Sequence, residues 1–91
     1  MRASRLVAWN LRRLRVRAGL SQEALAVDAG IDPSYVSRME RGLENPTVGL
    51  LEQIADVIGA ELVEFLRVPE KGEVEPKPLR GGRKPRNQSR R

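Results

Sequence analysis

The stretch from Gln22 to Arg41, QEALAVDAGIDPSYVSRMER, decides the fold of this chain. Ser21 directly before it is a good N-cap residue, and Gly30 ends the first apolar stripe, so the first half predicts one short helix. Asp32 then caps a second helix whose first residue is Pro33, a position where a missing N–H has no consequence. We therefore expect two short helices joined by a turn of only a few residues.

The offsets within this stretch match a helix-turn-helix. In that motif two short helices meet at a steep angle through a tight turn, so fixed positions require particular residue types. The fifth position must be small and is Ala26, and the ninth must tolerate a positive φ and is Gly30. The fifteenth must be a branched apolar residue, and it is Val36. The other inward positions are also apolar: Leu25, Ala29, Ile31 and Met39.

Helical signals continue on both sides of the motif. A first helix ends at Gly19, a fourth runs from its cap Thr47 to Gly59, and a short fifth helix follows. The apolar residues recur at helical spacing, at Val7, Leu11, Leu14 and Ala18 in the first helix and at Leu50, Leu51, Ile54, Ala55 and Ile58 in the fourth. No segment shows the two-residue alternation of a strand. The sequence predicts an all-α domain of five short helices over residues 1–68.

Composition excludes several classes of function. The 91 residues contain no cysteine and no histidine, which rules out disulfides, thiolate chemistry, histidine metal sites and histidine-dependent triads. We find no signal peptide and no run long enough to span a membrane, so we expect a cytoplasmic protein. A Gly-rich phosphate loop and clustered carboxylates are also missing. We therefore expect no enzyme activity, no metal or other cofactor and no small-molecule ligand.

The positive charge is concentrated at the C-terminus. The net charge is +5, yet residues 1–68 carry nine basic and nine acidic groups, whereas residues 69–91 carry eight and three. This last segment has four of the six prolines and only two aliphatic residues, Val74 and Leu79, so it buries too little apolar surface to order itself. We expect a disordered basic tail over 69–91, which either attracts a nucleic acid or keeps the chain soluble.

Residues 6–66 resemble the phage-repressor-like, or XRE-type, helix-turn-helix family. The resemblance rests on Arg-Ala-Gly-Leu-Ser-Gln at 17–22, Met-Glu-Arg-Gly at 39–42 and Asn-Pro-Thr at 45–47. It implies a transcriptional regulator, expected to be a repressor, that binds double-stranded DNA as a homodimer and reads a pseudopalindromic operator through the major groove. Small members of this kind also include antitoxins. The alternative is therefore a protein-binding module such as an antitoxin or a bridging factor.

The resemblance also implies which residues contact DNA. The second helix of the motif would lie in the major groove, where the planar fork of Arg38 matches guanine O6 and N7. The expected base-contacting residues are Ser34, Ser37 and Arg38. The expected contacts to the DNA backbone come from Gln22, Tyr35, Arg41 and Asn45. The plainer interpretation is that Arg38 and Arg41 are solvated surface charges and that Gln22 is an ordinary first-turn residue.

Two further sets of residues are expected to be structural. Arg15 and Glu40 match a pair that the family uses as a salt bridge between the first helix and the end of the third. The apolar side chains of the fifth helix either close the core or form a surface for a second subunit. The candidates for that dimer interface are Leu62, Phe65 and Leu66.

Overall fold

The computed structural model describes residues 2–70 and 72–73, which form four α-helices followed by one 3₁₀ helix. The α-helices are α1 (Ala3–Arg17), α2 (Gln22–Ala29), α3 (Pro33–Glu40) and α4 (Val48–Ile58), and the 3₁₀ helix spans Leu62–Leu66. These described residues contain no strand. The all-α prediction is therefore confirmed, whereas the prediction of a fifth α-helix is wrong because that element is a 3₁₀ helix.

The 3₁₀ helix places two of its apolar residues on one side. Its hydrogen bonds join residues three apart, from the Glu64 N–H to the Glu61 carbonyl (3.0 Å) and from the Arg67 N–H to the Glu64 carbonyl (3.4 Å). In this geometry side chains at i and i+3 eclipse each other, so Leu62 and Phe65 point the same way. Phe65 is fully buried in the core, and Leu62 packs against it.

The predicted helix starts are confirmed by their capping bonds. The Ser21 side chain accepts a hydrogen bond from the Ala24 N–H, and the Thr47 side chain accepts one from the Leu50 N–H, both at 3.0 Å. Asp32 caps α3 in the same way. Each cap provides an acceptor for an N–H that has no partner within the helix, so these three short helices begin at defined residues.

The helices pack around one apolar core. α1 contacts α3 and the 3₁₀ helix, whereas α2 lies between α3 and α4. Ala26 is fully buried on α2, and Val36 is fully buried on α3, as the helix-turn-helix offsets predict. The residues predicted to be buried at either end of the α4 stripe, Leu50 and Ile58, are only partly buried. Because its inner face is in this core, α3 is held with its other face toward solvent.

A buried amide ties α1 to the C-terminal end of the domain. Asn10 is fully buried, and its Nδ2 donates to the carbonyl oxygens of Phe65 (2.9 Å) and Arg67 (2.8 Å). Its Oδ1 accepts from Arg13 Nε (3.2 Å), and Arg13 Nη2 lies 3.4 Å from the Glu64 carboxylate. These bonds fix the 3₁₀ helix against α1.

Most of the predicted disordered tail, 69–91, lies outside the described residues, which include only 69, 70, 72 and 73 of it. These form a turn in which the Glu73 N–H donates to the Glu70 carbonyl (2.9 Å). The Glu73 carboxylate accepts from Arg67 Nη2 (2.8 Å), so folded contacts continue past residue 68. None of the helices in the described part of the chain has the length and apolar character needed to cross a membrane.

Candidate nucleic-acid interface

The outward face of α3 is polar. Val36, Met39 and Glu40 of this helix are buried, and the residues between them turn away from the core. Ser34 is exposed, whereas Ser37 and Arg38 are partly exposed. The structure therefore places all three predicted base-contacting residues on the part of α3 that faces solvent.

Two of the three base-contacting candidates, Ser34 and Arg38, are bonded to each other. Ser34 Oγ lies 2.8 Å from Asp32 Oδ1, to which it donates, and Arg38 Nη1 donates to the same Ser34 Oγ at 3.3 Å. The Arg38 guanidinium carbon lies 5.5 Å from the centroid of the Tyr35 ring, within the range of a cation–π contact. The hydrogen bonds from the Ser34 hydroxyl and backbone N–H, followed by the charge of Arg38, lower the pKa of the Asp32 carboxyl.

Glu44 also contacts Arg38 and was not among the predicted site residues. Arg38 Nε donates to Glu44 Oε2 at 2.7 Å, and both side chains are partly exposed. The turn after α3 explains this contact, because the N–H groups of Gly42 and Leu43 return to the carbonyls of Met39 and Arg38, both at 3.0 Å. This is a Schellman motif, which requires a positive φ at Gly42 (+75°). A sequence signal was present in Gly42, because a glycine after the last residue of a helix is typical of this chain reversal.

The structure brings together Arg15 and Glu40, the predicted salt bridge. Arg15 Nε lies 2.5 Å from Glu40 Oε2, Arg15 Nη2 lies 2.9 Å from Oε1, and both side chains are buried. The remaining terminal nitrogen of Arg15 donates to the Leu20 carbonyl at 2.8 Å. Gln22 Nε2 and Arg12 Nε donate to Glu40 Oε1 at 3.0 and 3.3 Å. Glu40 therefore links the end of α3 to α1 and to the first residue of α2.

The four residues predicted to contact the DNA backbone are in different environments. Gln22 is the first residue of α2, and its amide nitrogen is bonded to Glu40. Tyr35 is partly buried and packs against the core. Arg41 and Asn45 are exposed on the segment that joins α3 to α4. The Gln22 and Tyr35 side chains are thus held by protein contacts, and those of Arg41 and Asn45 extend into solvent.

The structure corrects one of the three dimer-interface candidates. Phe65 is fully buried among core residues, because the 3₁₀ geometry turns it toward α1, so it is not available to a second subunit. Leu66 is exposed, and Leu62 is partly buried. Val63, another apolar residue of the predicted fifth helix, is exposed as well, and so is Val68 just beyond it, so both add apolar surface to this end of the domain.

The fold and the outward face of α3 define a helix-turn-helix protein. The helix-turn-helix domain family matches residues 6–68. HTH-type transcriptional regulator y4dJ of Sinorhizobium fredii, itself uncharacterized, is 40% identical over 62 residues, which are 68% of this chain and 80% of that protein. A hypothetical transcription factor of Neisseria meningitidis is 37% identical over 65 residues, 71% of this chain and 61% of that protein.

Two solved structures of proteins with related sequences are similar to this chain. The hypothetical transcription factor NHTF from Neisseria superposes with a TM-score of 0.71 at 35% identity, over 75% of this chain and 78% of that one. The restriction-modification controller protein C.AhdI from Aeromonas hydrophila gives a TM-score of 0.66 at 37% identity, over 68% of this chain and 90% of that one. This chain belongs to the XRE-like helix-turn-helix family of DNA-binding transcriptional regulators.

Proposed function

We propose that this chain is a sequence-specific repressor that binds a pseudopalindromic operator as a homodimer. The observation that carries the proposal is the polar outer face of α3, where Ser34, Ser37 and Arg38 lie over a complete helix-turn-helix core. A protein-binding helix is expected to present apolar side chains at these positions instead. This polar face fits the major groove, whose base edges are hydrogen-bond donors and acceptors.

In this proposal α3 enters the major groove, and Arg38 supplies most of the base discrimination. Its planar fork forms two hydrogen bonds to guanine, a contact that distinguishes the correct base pair by about 1–3 kcal/mol. Ser34 and Ser37 bond to several bases and contribute less. The residues that position the protein through phosphates are Gln22, Tyr35, Arg41 and Asn45. Gln22 is favoured for this role because it opens α2, where the helix dipole attracts an anion.

Dimerisation follows from the limited discrimination that one module provides. Two copies related by a two-fold axis read half-sites about one helical turn apart, which multiplies their specificity. The exposed apolar side chains at the C-terminal end of the domain support this assembly: Leu66, Val63 and Val68, with the partly buried Leu62 beside them. A bound dimer represses by occupying DNA that other proteins need.

A second candidate function is protein binding, and one feature favours it. An open cavity of about 490 Å³ lies beside α2, lined by Ala24, Val27 and Pro33 and by the acidic residues Glu23 and Asp28. Val27 is highly exposed there. A basic peptide with one apolar side chain matches this lining in charge and polarity. The protein-binding alternative therefore predicts that such a peptide binds beside α2.

Selection of bound fragments from the source genome by the purified full chain tests both candidates. About 150 mM salt screens the nonspecific attraction of the basic tail. We expect a pseudopalindrome with half-sites about one turn apart, and we expect Arg38→Ala to relax one base position in each half-site. Arg17→Ala is the matched control, because Arg17 is an exposed arginine on α1. Recovery of random fragments would refute the repressor proposal and favour a protein partner.

A further inference from the structure

We propose that Glu44 is a positioning residue that sets the base specificity of Arg38, an inference that rests on the DNA-binding function proposed above. The Arg38–Glu44 contact is short, at 2.7 Å between Nε and Oε2, and it lies on the face of α3 that would meet the groove. Glu44 itself is not on α3, so its role is to hold the arginine that reads the base.

The backbone delivers Glu44 to this place independently of side-chain rotamers. The Leu43 N–H is bonded to the carbonyl of Arg38 itself, so the chain has returned to Arg38 one residue before Glu44. Gly42 permits the reversal through its positive φ. The Glu44 side chain therefore starts from a fixed backbone point close to the backbone of Arg38.

Three contacts restrain the Arg38 side chain from different sides. The Glu44 carboxylate accepts a hydrogen bond from Nε, and Ser34 Oγ accepts one from Nη1 at 3.3 Å. The Tyr35 ring lies 5.5 Å from the guanidinium carbon. A guanidinium has five N–H donors, so these two hydrogen bonds leave three, all on Nη1 and Nη2. A guanine contact needs two parallel donors. The three contacts therefore orient the Arg38 guanidinium and still leave N–H donors for a base.

The charge of Glu44 adds a second effect, which does not depend on sequence. A carboxylate next to the groove repels phosphates, so it weakens binding to DNA of any sequence. This effect is separate from the orientation of Arg38, which alone distinguishes one base pair from another.

Two substitutions separate orientation from charge. Glu44→Ala removes both the acceptor and the charge, whereas Glu44→Gln keeps an oxygen that accepts from Nε and removes only the charge. Glu52→Ala on α4 is the matched control, because Glu52 is an exposed glutamate outside the α3 contacts. Dissociation constants are measured for the operator selected by the wild-type protein, for operators changed at one base pair at a time, and for unrelated DNA.

We expect wild-type protein to prefer guanine at the Arg38 position by about 5- to 150-fold. Glu44→Ala should reduce that preference several-fold at this base pair alone, and Glu44→Gln should largely restore it. Both variants should bind unrelated DNA more tightly than wild type, and Glu52→Ala should leave the guanine preference unchanged. In an Arg38→Ala background, Glu44→Ala should have no further effect on base preference, since Glu44 acts through Arg38.

Specific outcomes overturn the inference. Full guanine preference in Glu44→Ala, or an effect of Glu44→Ala on base preference that persists without Arg38, would refute the positioning role while leaving the repressor proposal intact. Absence of any sequence preference in wild type would refute the repressor proposal, and this inference would fail with it. A readout without DNA is the ¹⁵N NMR signal of Arg38 Nε–H, whose exchange with water should accelerate in Glu44→Ala but much less in Glu44→Gln.

Discussion

Replacing Glu40 by alanine should destabilise the domain by about 3–5 kcal/mol, because it removes one partner of a buried ion pair. Arg15 is buried with it, and without Glu40 the Arg15 guanidinium keeps only the Leu20 carbonyl as an acceptor. Gln22 Nε2 loses the same acceptor. The penalty is that of a desolvated cation without a counter-charge, which greatly exceeds that of a lost surface contact.

The size of this effect matters because the domain is small. A folded unit of about 70 residues has a total stability of about 3–10 kcal/mol. Glu40→Ala should therefore remove roughly a third to all of that stability, and urea unfolding followed by circular dichroism at 222 nm measures the loss. Glu44→Ala, which removes a carboxylate from a partly exposed arginine, should cost only about 0–1 kcal/mol.

A second substitution separates the missing counter-charge from the loss of packing. Arg15→Met combined with Glu40→Leu removes both charges and retains apolar volume, so the double variant should be more stable than Glu40→Ala alone. A loss of less than about 1.5 kcal/mol in Glu40→Ala would refute the reasoning, since the buried arginine would then have found another partner or water. A double variant less stable than Glu40→Ala would contradict it too.

Three further predictions concern the ends of the domain and the cap of α3. Asn10→Ala should cost about 1–3 kcal/mol and speed hydrogen exchange in the 3₁₀ helix, because the Phe65 and Arg67 carbonyls lose their donor. The pKa of the Asp32 carboxyl is lowered in the folded protein. The ionised carboxylate therefore stabilises the fold above the pKa of Asp32 in the unfolded chain, and this stabilisation is lost as the pH falls through the pKa of the folded protein. Ser34→Ala removes the hydroxyl that donates to Asp32, so it should raise the Asp32 pKa in a ¹³C NMR titration. Phe65→Ala should cost about 3–5 kcal/mol, whereas Leu66→Ala should mainly weaken self-association in analytical ultracentrifugation.

The sequence was sufficient to predict the features that depend only on neighbouring residues, namely the helix starts and the turn of the motif. Ser21, Asp32 and Thr47 cap helices as predicted, and Gly30 adopts the positive φ that its position in the motif demands. These signals depend on a few neighbouring residues, so tertiary packing does not override them. The apolar offsets of the helix-turn-helix also succeed, because only small or branched residues fit where α2 and α3 approach.

The sequence was insufficient where the outcome depends on distant parts of the chain. Phe65 looked equally suited to a core or an interface, and only the 3₁₀ geometry of its segment assigns it to the core. Asn10 is polar yet fully buried on α1, because carbonyls near residue 65 need a donor. The sequence of α1 does not indicate those acceptors, because they come from the other end of the domain.

Glu40 and Glu44 show how one residue type takes two roles on either side of the same turn. Glu40 is on the inner side of α3, where burial makes its bonds to Arg15 decisive for stability. Glu44 lies on the outer side, where water screens its bond to Arg38 and leaves little effect on folding. The two substitutions should therefore affect different properties of the protein. Glu40→Ala should reduce the folded fraction without changing base preference per folded molecule, and Glu44→Ala should change base preference without changing the folded fraction.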